Sequence, residues 1–101
     1  MTERFERKFS RVIPENLKEH ALKKIRRLSE NPHLGKPLKF NFVRELKAGK
    51  FRIYFIVFEK EVLVLMVNVS DKKNQQETIN AIYSGLPGFF AYIKNLKGKT
   101  L

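Results

Sequence analysis

Residues 44–57 of the chain read RELKAGKFRIYFIV. After Lys50 every residue except Arg52 is aliphatic or aromatic, which is typical of a well-buried strand. Four cations crowd around Gly49 at the entrance of this strand: Arg44, Lys47, Lys50 and Arg52. Burial of the strand does not require them. They form either a solvated rim that pairs with nearby acids or a site for phosphate.

Two further segments extend this strand into a sheet. The pattern predicts a short strand over 43–47, a long one over 50–58 and another over 62–70, the last two joined by EKE. Consecutive strands with such short connections form an antiparallel meander. Because both alternations of the long strands are apolar, we expect helices on one face of the sheet and partial cover on the other.

Two helices precede the sheet. Phe5, Phe9 and Val12 recur at helical spacing and predict a first helix that ends near residue 13, before Pro14. A second helix follows, and its apolar face consists of Leu17, Ala21, Ile25 and Leu28. It should end before the loop sequence NPHLGKP. Two such helices in tandem form a helical hairpin, which we expect to pack on the sheet.

The chain after the sheet predicts more helix. Ser70 or Asp71 can cap a helix that runs to Tyr83, and SGLPGFF should break it. The final stretch, FFAYIKNLKGKTL, has the pattern of a short amphipathic helix. We therefore expect one or two short helices, and we divide the chain into a domain over 1–83 and a C-terminal extension over 84–101 that packs on or beside it.

Composition indicates a single basic globular domain. The chain has 101 residues, 43% of them hydrophobic, and no cysteine, which removes disulfides and thiol nucleophiles. Its 21 lysines and arginines against 10 acids give a formal net charge of +11. The excess is most one-sided over residues 31–58, with six cations and one acid. Such a surface attracts polyanions, which means nucleic acid, an acidic protein, or both.

Several absences are expected from the same sequence. The N-terminus lacks the apolar core of a signal peptide, and no stretch reaches the ~18 apolar residues of a membrane helix. We therefore expect no export and no membrane partner. We expect a cytoplasmic location. His20 and His33 have no partner at ligand spacing, so we expect no metal site and no cofactor.

The order of these motifs resembles the RelE/ParE superfamily of small toxins from toxin–antitoxin pairs. The resemblance covers about residues 5–83, and its most specific part is RELKAGKFRIYF, which is similar to the family's strand pattern of arginine, glycine, aromatic residue and arginine. It implies an α+β fold: a helical hairpin packed on a three- to four-stranded antiparallel sheet, here with a C-terminal helical extension. RelE-like members cleave messenger RNA on the ribosome. A cognate antitoxin, small and acidic or amphipathic, silences them in a hetero-oligomer.

The implied activity is that of a metal-independent endoribonuclease, in which the RNA 2′-hydroxyl attacks the phosphate and leaves a cyclic phosphate. Arg52 is expected to hold the scissile phosphate, because a guanidinium fork matches phosphate oxygens. Lys47 and Lys72 match positions that are commonly basic in the family, and they complete the catalytic set through phosphate contact or proton transfer. Candidates for substrate binding are Arg44, Lys50, Lys73 and Tyr54, and candidates for the base are Glu45 and Tyr83.

Two departures from the family keep other functions open. Glu45 stands where RelE-like enzymes often carry a catalytic lysine. The carboxy-terminal tyrosine of some members has no direct counterpart, Tyr83 being the nearest aromatic hydroxyl. The alternatives are a ParE-like inhibitor of DNA gyrase, and a degenerate toxin that binds antitoxin or nucleic acid without cleaving RNA.

Overall fold

A computed structural model describes the backbone of residues 2–99 and the side chains of residues 2–96. The elements are α1 (Glu3–Val12), α2 (Glu15–Arg27), a 3₁₀ turn (Pro32–Leu34), β1 (Lys36–Pro37), β2 (Val43–Ala48), β3 (Phe51–Phe58), β4 (Leu63–Asp71) and α3 (Gln75–Lys99). The predicted α+β architecture is confirmed, with three α-helices and one four-stranded antiparallel sheet in this part of the chain. Residues 100–101 of the predicted extension lie outside the described residues.

The sheet has the strand order β1-β2-β3-β4, and every pair is antiparallel. Gly49 and Lys50 alone join β2 to β3, and Gly49 has a φ of +60°, which suits the first central position of a type II′ hairpin turn. The turn fixes the register, so that Lys47 lies opposite Arg52 and Glu45 opposite Tyr54. The two-residue strand β1, within the segment predicted as loop, extends the sheet beyond β2.

The helical hairpin packs on one face of the sheet, as predicted. The Thr2 side chain accepts a hydrogen bond from the amide of Phe5 (3.1 Å), and this cap starts α1. The core between hairpin and sheet contains Phe5, Phe9, Ile13, Ala21 and Leu28 from the helical part, and Leu46, Ala48, Ile53, Phe55, Val57, Met66 and Val69 from the strands.

The predicted break at SGLPGFF is wrong, because α3 runs without interruption over 25 residues and contains Pro87. Ile79, Ile82 and Leu86 of this helix are buried against the second face of the sheet. Burying aliphatic side chains contributes about 1.5–3 kcal/mol each, which offsets the ~3 kcal/mol that an interior proline costs. The face that we expected to be partly covered is therefore covered by α3 of the same chain.

The predicted start of this helix at residues 70–71 is also wrong. Ser70 and Asp71 belong to β4, and α3 begins at Gln75. The carboxylate of Asp71 accepts a hydrogen bond from the amide of Asn74 (2.8 Å), so it stabilises the turn that leads into the helix. Within the described residues, no helix is both long and apolar enough to cross a membrane.

Candidate functional site

An open cleft of about 530 Å³ lies beside β2, between α2 and the first residue of α3. It is strongly basic. Its lining residues are the cations Lys24, Arg27, Lys36, Lys47 and Arg52, together with Leu34, Glu45, Leu46 and Gln75. Two of the three predicted catalytic cations, Lys47 and Arg52, are thus brought together, and three further cations from other elements join them.

Lys47 and Arg52 occupy directly opposite positions on β2 and β3. Like charges in such a cross-strand pair destabilise a sheet. Arg52 is only 8% exposed, and its Nη1 donates to two backbone oxygens, of Phe51 (3.1 Å) and of Gly49 (3.5 Å). No carboxylate forms an ion pair with either residue in the part of the chain that the structure describes. The pair therefore concentrates positive charge that a bound anion can compensate.

Glu45 supplies the one carboxylate that lines this cleft. It is half-buried, and its Oε2 accepts a hydrogen bond from Nε2 of Gln75 (3.2 Å), which holds the carboxylate in place. Opposite, Lys24 reaches over from α2 and donates from Nζ to the backbone oxygen of Lys47 (2.5 Å). The cleft thus holds one hydrogen-bonded carboxylate among five cations.

The sequence prediction missed four polar lining residues: Lys24, Arg27, Lys36 and Gln75. A signal existed for two of them, because Lys24 and Arg27 are three residues apart and therefore share one side of α2. Nothing in the sequence indicated that this side meets the edge of the sheet. Lys36 lies on β1, which was predicted as loop.

Arg44 does not enter the cleft. It lies on the other face of β2 from Glu45, and it is only 7% exposed. Its Nη2 donates to the backbone oxygens of Gly35 (2.6 Å) and His33 (3.3 Å), and its Nη1 to the backbone and side-chain oxygens of Asn41 (3.2 and 3.3 Å). The guanidinium thus links β2 to the loop before β1 and to the loop after it.

Neither candidate tyrosine lines the cleft. Tyr54 is fully buried, and its hydroxyl shares a hydrogen bond of 2.9 Å with Ser70. Burial raises the pKa of Tyr54 above its ordinary value, so its hydroxyl is a poor base at neutral pH. The hydroxyl of Tyr83 accepts a hydrogen bond from the amide of Lys39 (2.9 Å), and its ring packs edge-on against Phe40.

The remaining candidates form an exposed rim at the end of the sheet where the hairpin turn lies. Lys50 is in that turn, and the amide of Lys72 donates to its backbone oxygen (3.2 Å). Lys72 and Lys73 belong to the turn before α3, and both are exposed. None of the three lines the cleft. Lys72 comes two residues after Ser70, which pairs with Arg52 of the cleft in the sheet.

Comparison with known proteins finds no matching family model, no significantly similar curated protein and no solved structure that matches the chain. Among the described residues, no three side chains of histidine, cysteine, aspartate or glutamate are grouped so that they could hold a metal ion. Cleft geometry and sequence pattern therefore carry the functional argument.

Proposed function

We propose that the chain is a RelE-like toxin of a toxin–antitoxin pair. In this proposal it acts in the cytoplasm as a metal-independent endoribonuclease on messenger RNA in the ribosome, and a small acidic or amphipathic antitoxin neutralises it. The resemblance of RELKAGKFRIYF to the family's strand motif supports it at the level of sequence. The observation that carries it is the convergence of Lys47 and Arg52 with three further cations around a single carboxylate.

The chemistry assigns a role to each of these groups. The 2′-hydroxyl of the RNA attacks the adjacent phosphorus while the carboxylate of Glu45 accepts its proton. Arg52 stabilises the charge that develops on the phosphate oxygens. The bond from phosphorus to the 5′-oxygen breaks, and the leaving oxygen takes a proton from the ammonium group of Lys47. The products are a 2′,3′-cyclic phosphate and a 5′-hydroxyl end. Lys24, Arg27 and Lys36 hold the flanking phosphates.

A second candidate is a degenerate toxin that binds RNA or antitoxin without cleaving RNA. One observation favours it: the hydroxyls of Tyr54 and Tyr83 are both engaged in hydrogen bonds away from the cleft. Proton transfer then rests on Glu45 and the lysines alone. In this case the same cations bind phosphate, but no strand scission follows.

The proposal is tested by inducing the chain in a bacterial host and mapping new 5′ ends on a reporter message by primer extension. Lys24 and Lys23 provide a matched pair, because they are adjacent on α2 and only Lys24 lines the cleft. We expect new ends within translated codons for the wild type and for Lys23→Ala, and about tenfold fewer for Lys24→Ala.

Three other outcomes lead to different conclusions. New ends that Lys24→Ala and Arg52→Ala leave unchanged would reject the cleft as the site. Growth arrest without new ends would point to a ParE-like action on gyrase. Normal growth without new ends, accompanied by RNA binding of the purified chain, would select the degenerate toxin.

A further inference from the structure

A second groove runs along the opposite edge of the sheet. β4 is the last strand, so within the described residues no strand pairs with its outer edge. Hollows of about 570 and 330 Å³ lie along this edge between α1 and α3. They adjoin each other, because Lys8, Asn68 and Ala81 line both of them.

The two walls of the groove differ in chemistry. The wall on α1 carries Arg4, Arg7, Lys8 and Arg11, whereas the wall on α3 carries Ala81, Ile82, Gly85 and Phe89. Arg7 is paired with Glu3 (2.6 Å), and the other three cations form no ion pair among the described residues. Asp71 and Glu77 line only the smaller hollow. The larger hollow therefore has one cationic wall and one apolar wall.

Lys8 shows that positive charge is crowded here. Its pKa lies below its usual value because of burial, then because of the neighbouring charges of Arg11 and Arg4. Its Nζ donates to the side-chain oxygen of Asn68, a neutral partner, and the carboxylate of Glu77 offsets the effect of these neighbouring cations only in part. A carboxylate placed in the groove would relieve this repulsion.

The floor of the groove is a strand edge with little to prevent pairing. β4 reads LVLMVNVSD and contains neither lysine nor proline, the residues that commonly protect edges. Two protective features are present: Val67 is bulged out of the ladder with β3, and the Lys8 side chain from α1 hydrogen-bonds to Asn68 of this strand. Val69 donates its amide to the side chain of Asn68 (2.9 Å), a local bond that a strand can replace.

We propose that this groove binds an extended acidic peptide that adds to the sheet as a strand beside β4. Alternate side chains of an added strand point to opposite faces of a sheet. Here one set would face the cations of α1 and the other the apolar wall of α3, so the fitting peptide alternates acidic and apolar residues. The groove lies across the sheet from the cation cleft, and this proposal does not depend on the proposed nuclease.

Two other occupants fit the observations less well. A second copy of the chain would bring together two molecules that each carry a formal net charge of +11, and they would repel. RNA would use the cations of α1 and can stack a base on Phe89, but it offers no aliphatic group for the rest of the apolar wall at Ala81 and Ile82.

The test measures binding of the whole chain to a fluorescein-labelled decapeptide of alternating glutamate and leucine by fluorescence anisotropy. A block-order peptide of the same composition and a uridine decamer serve as competitors. Lys8→Glu removes a groove cation, and Lys23→Glu makes the same change in charge on α2, outside the groove. Ala81→Arg adds a cation but fills the apolar wall at an exposed position. Thermal melts check that each variant folds.

We expect the alternating peptide to bind, with Kd raised about tenfold by Lys8→Glu, about fivefold by Ala81→Arg and less than about twofold by Lys23→Glu. The block-order peptide should compete poorly. Three outcomes would show a general polyanion surface and overturn the proposal. They are tighter binding of the peptide to Ala81→Arg, competition by the uridine decamer as strong as that by the peptide, and equal effects of the two lysine variants. Absence of binding to the wild type would overturn it as well.

Discussion

The two buried arginines on neighbouring strands should respond in opposite ways to replacement by alanine. Arg44 holds four backbone and side-chain oxygens of the flanking loops, whereas Arg52 opens into the cation cleft and bonds only two backbone oxygens of its own hairpin. Their exposed fractions are almost equal, 7% and 8%, so burial alone does not separate them. Arg44→Ala should therefore lower stability, and Arg52→Ala should lower activity.

The magnitudes follow from the hydrogen bonds. A bond to a charged group contributes about 1.5–3 kcal/mol, and the other three bonds of Arg44 are longer than its 2.6 Å bond to Gly35. We expect Arg44→Ala to lower the free energy of unfolding by about 3 kcal/mol, which corresponds to roughly 12–24 °C in Tm for a domain of this size. Arg52→Ala should cost less, about 1 kcal/mol, because its bond to Gly49 is 3.5 Å long and because the change removes the unfavourable like-charge pair with Lys47. Removing its charge from the proposed phosphate site should slow cleavage by ~100- to 1,000-fold.

The assay combines denaturant unfolding of each purified variant with cleavage of a ribosome-bound message, performed well below the melting temperature. Cleavage per folded molecule should stay near the wild-type rate for Arg44→Ala. The reasoning is refuted if Arg52→Ala destabilises the chain more than Arg44→Ala does, or if Arg44→Ala loses cleavage while it remains folded.

Three further predictions concern the scaffold of the site. A methyl group at Gly35 would lie 2.6 Å from the backbone oxygen of Glu45 and 2.8 Å from the ring of Phe55, so Gly35→Ala should lower the free energy of unfolding by at least about 2 kcal/mol in a denaturant titration. Tyr54→Phe should lower stability by about 1 kcal/mol at neutral pH through loss of the hydroxyl bond. The pKa of Tyr54 is raised in the folded chain, so above its ordinary value of 10.0 the unfolded state loses the proton first. The advantage of wild type over this variant should therefore hold at neutral pH and shrink as the pH rises above about 10 in urea titrations, and a constant difference would contradict the burial argument. Pro87→Ala should raise the free energy of unfolding by at least about 1 kcal/mol, and with it the Tm, because it restores an amide donor inside α3. An unchanged or lower Tm would show that the helix is adapted to the proline.

The sheet and the helical hairpin were predictable because their signals are local. Near-continuous runs of β-branched, aromatic and other apolar residues define β3 and β4, and the helical spacing of Phe5 and Phe9 defines α1. The continuation of α3 through Pro87 was not predictable from local signals. It depends on the burial of Leu86 and its neighbours against the second face of the sheet. Only the tertiary structure shows which helix covers that face.

The site was predictable in part for a similar reason. A two-residue turn at Gly49 places Lys47 opposite Arg52, and the period of two puts Arg44 on the other face from Glu45. The sequence alone left both arginines as phosphate candidates, because it does not show which face each loop covers. The cations of α2 and β1 join the cleft only through tertiary packing.

The central claim is that the cation cleft promotes attack by an RNA 2′-hydroxyl, and one measurement tests it directly. Purified chain is incubated with ribosomes that hold a defined message, alongside the same message with a single 2′-deoxy nucleotide at the mapped scissile position. We expect 5′-hydroxyl and cyclic phosphate ends on the first message, no cleavage of the second at that position, and loss of cleavage in Arg52→Ala. Equal cleavage of both messages, or none of the first by the folded wild type, would contradict it.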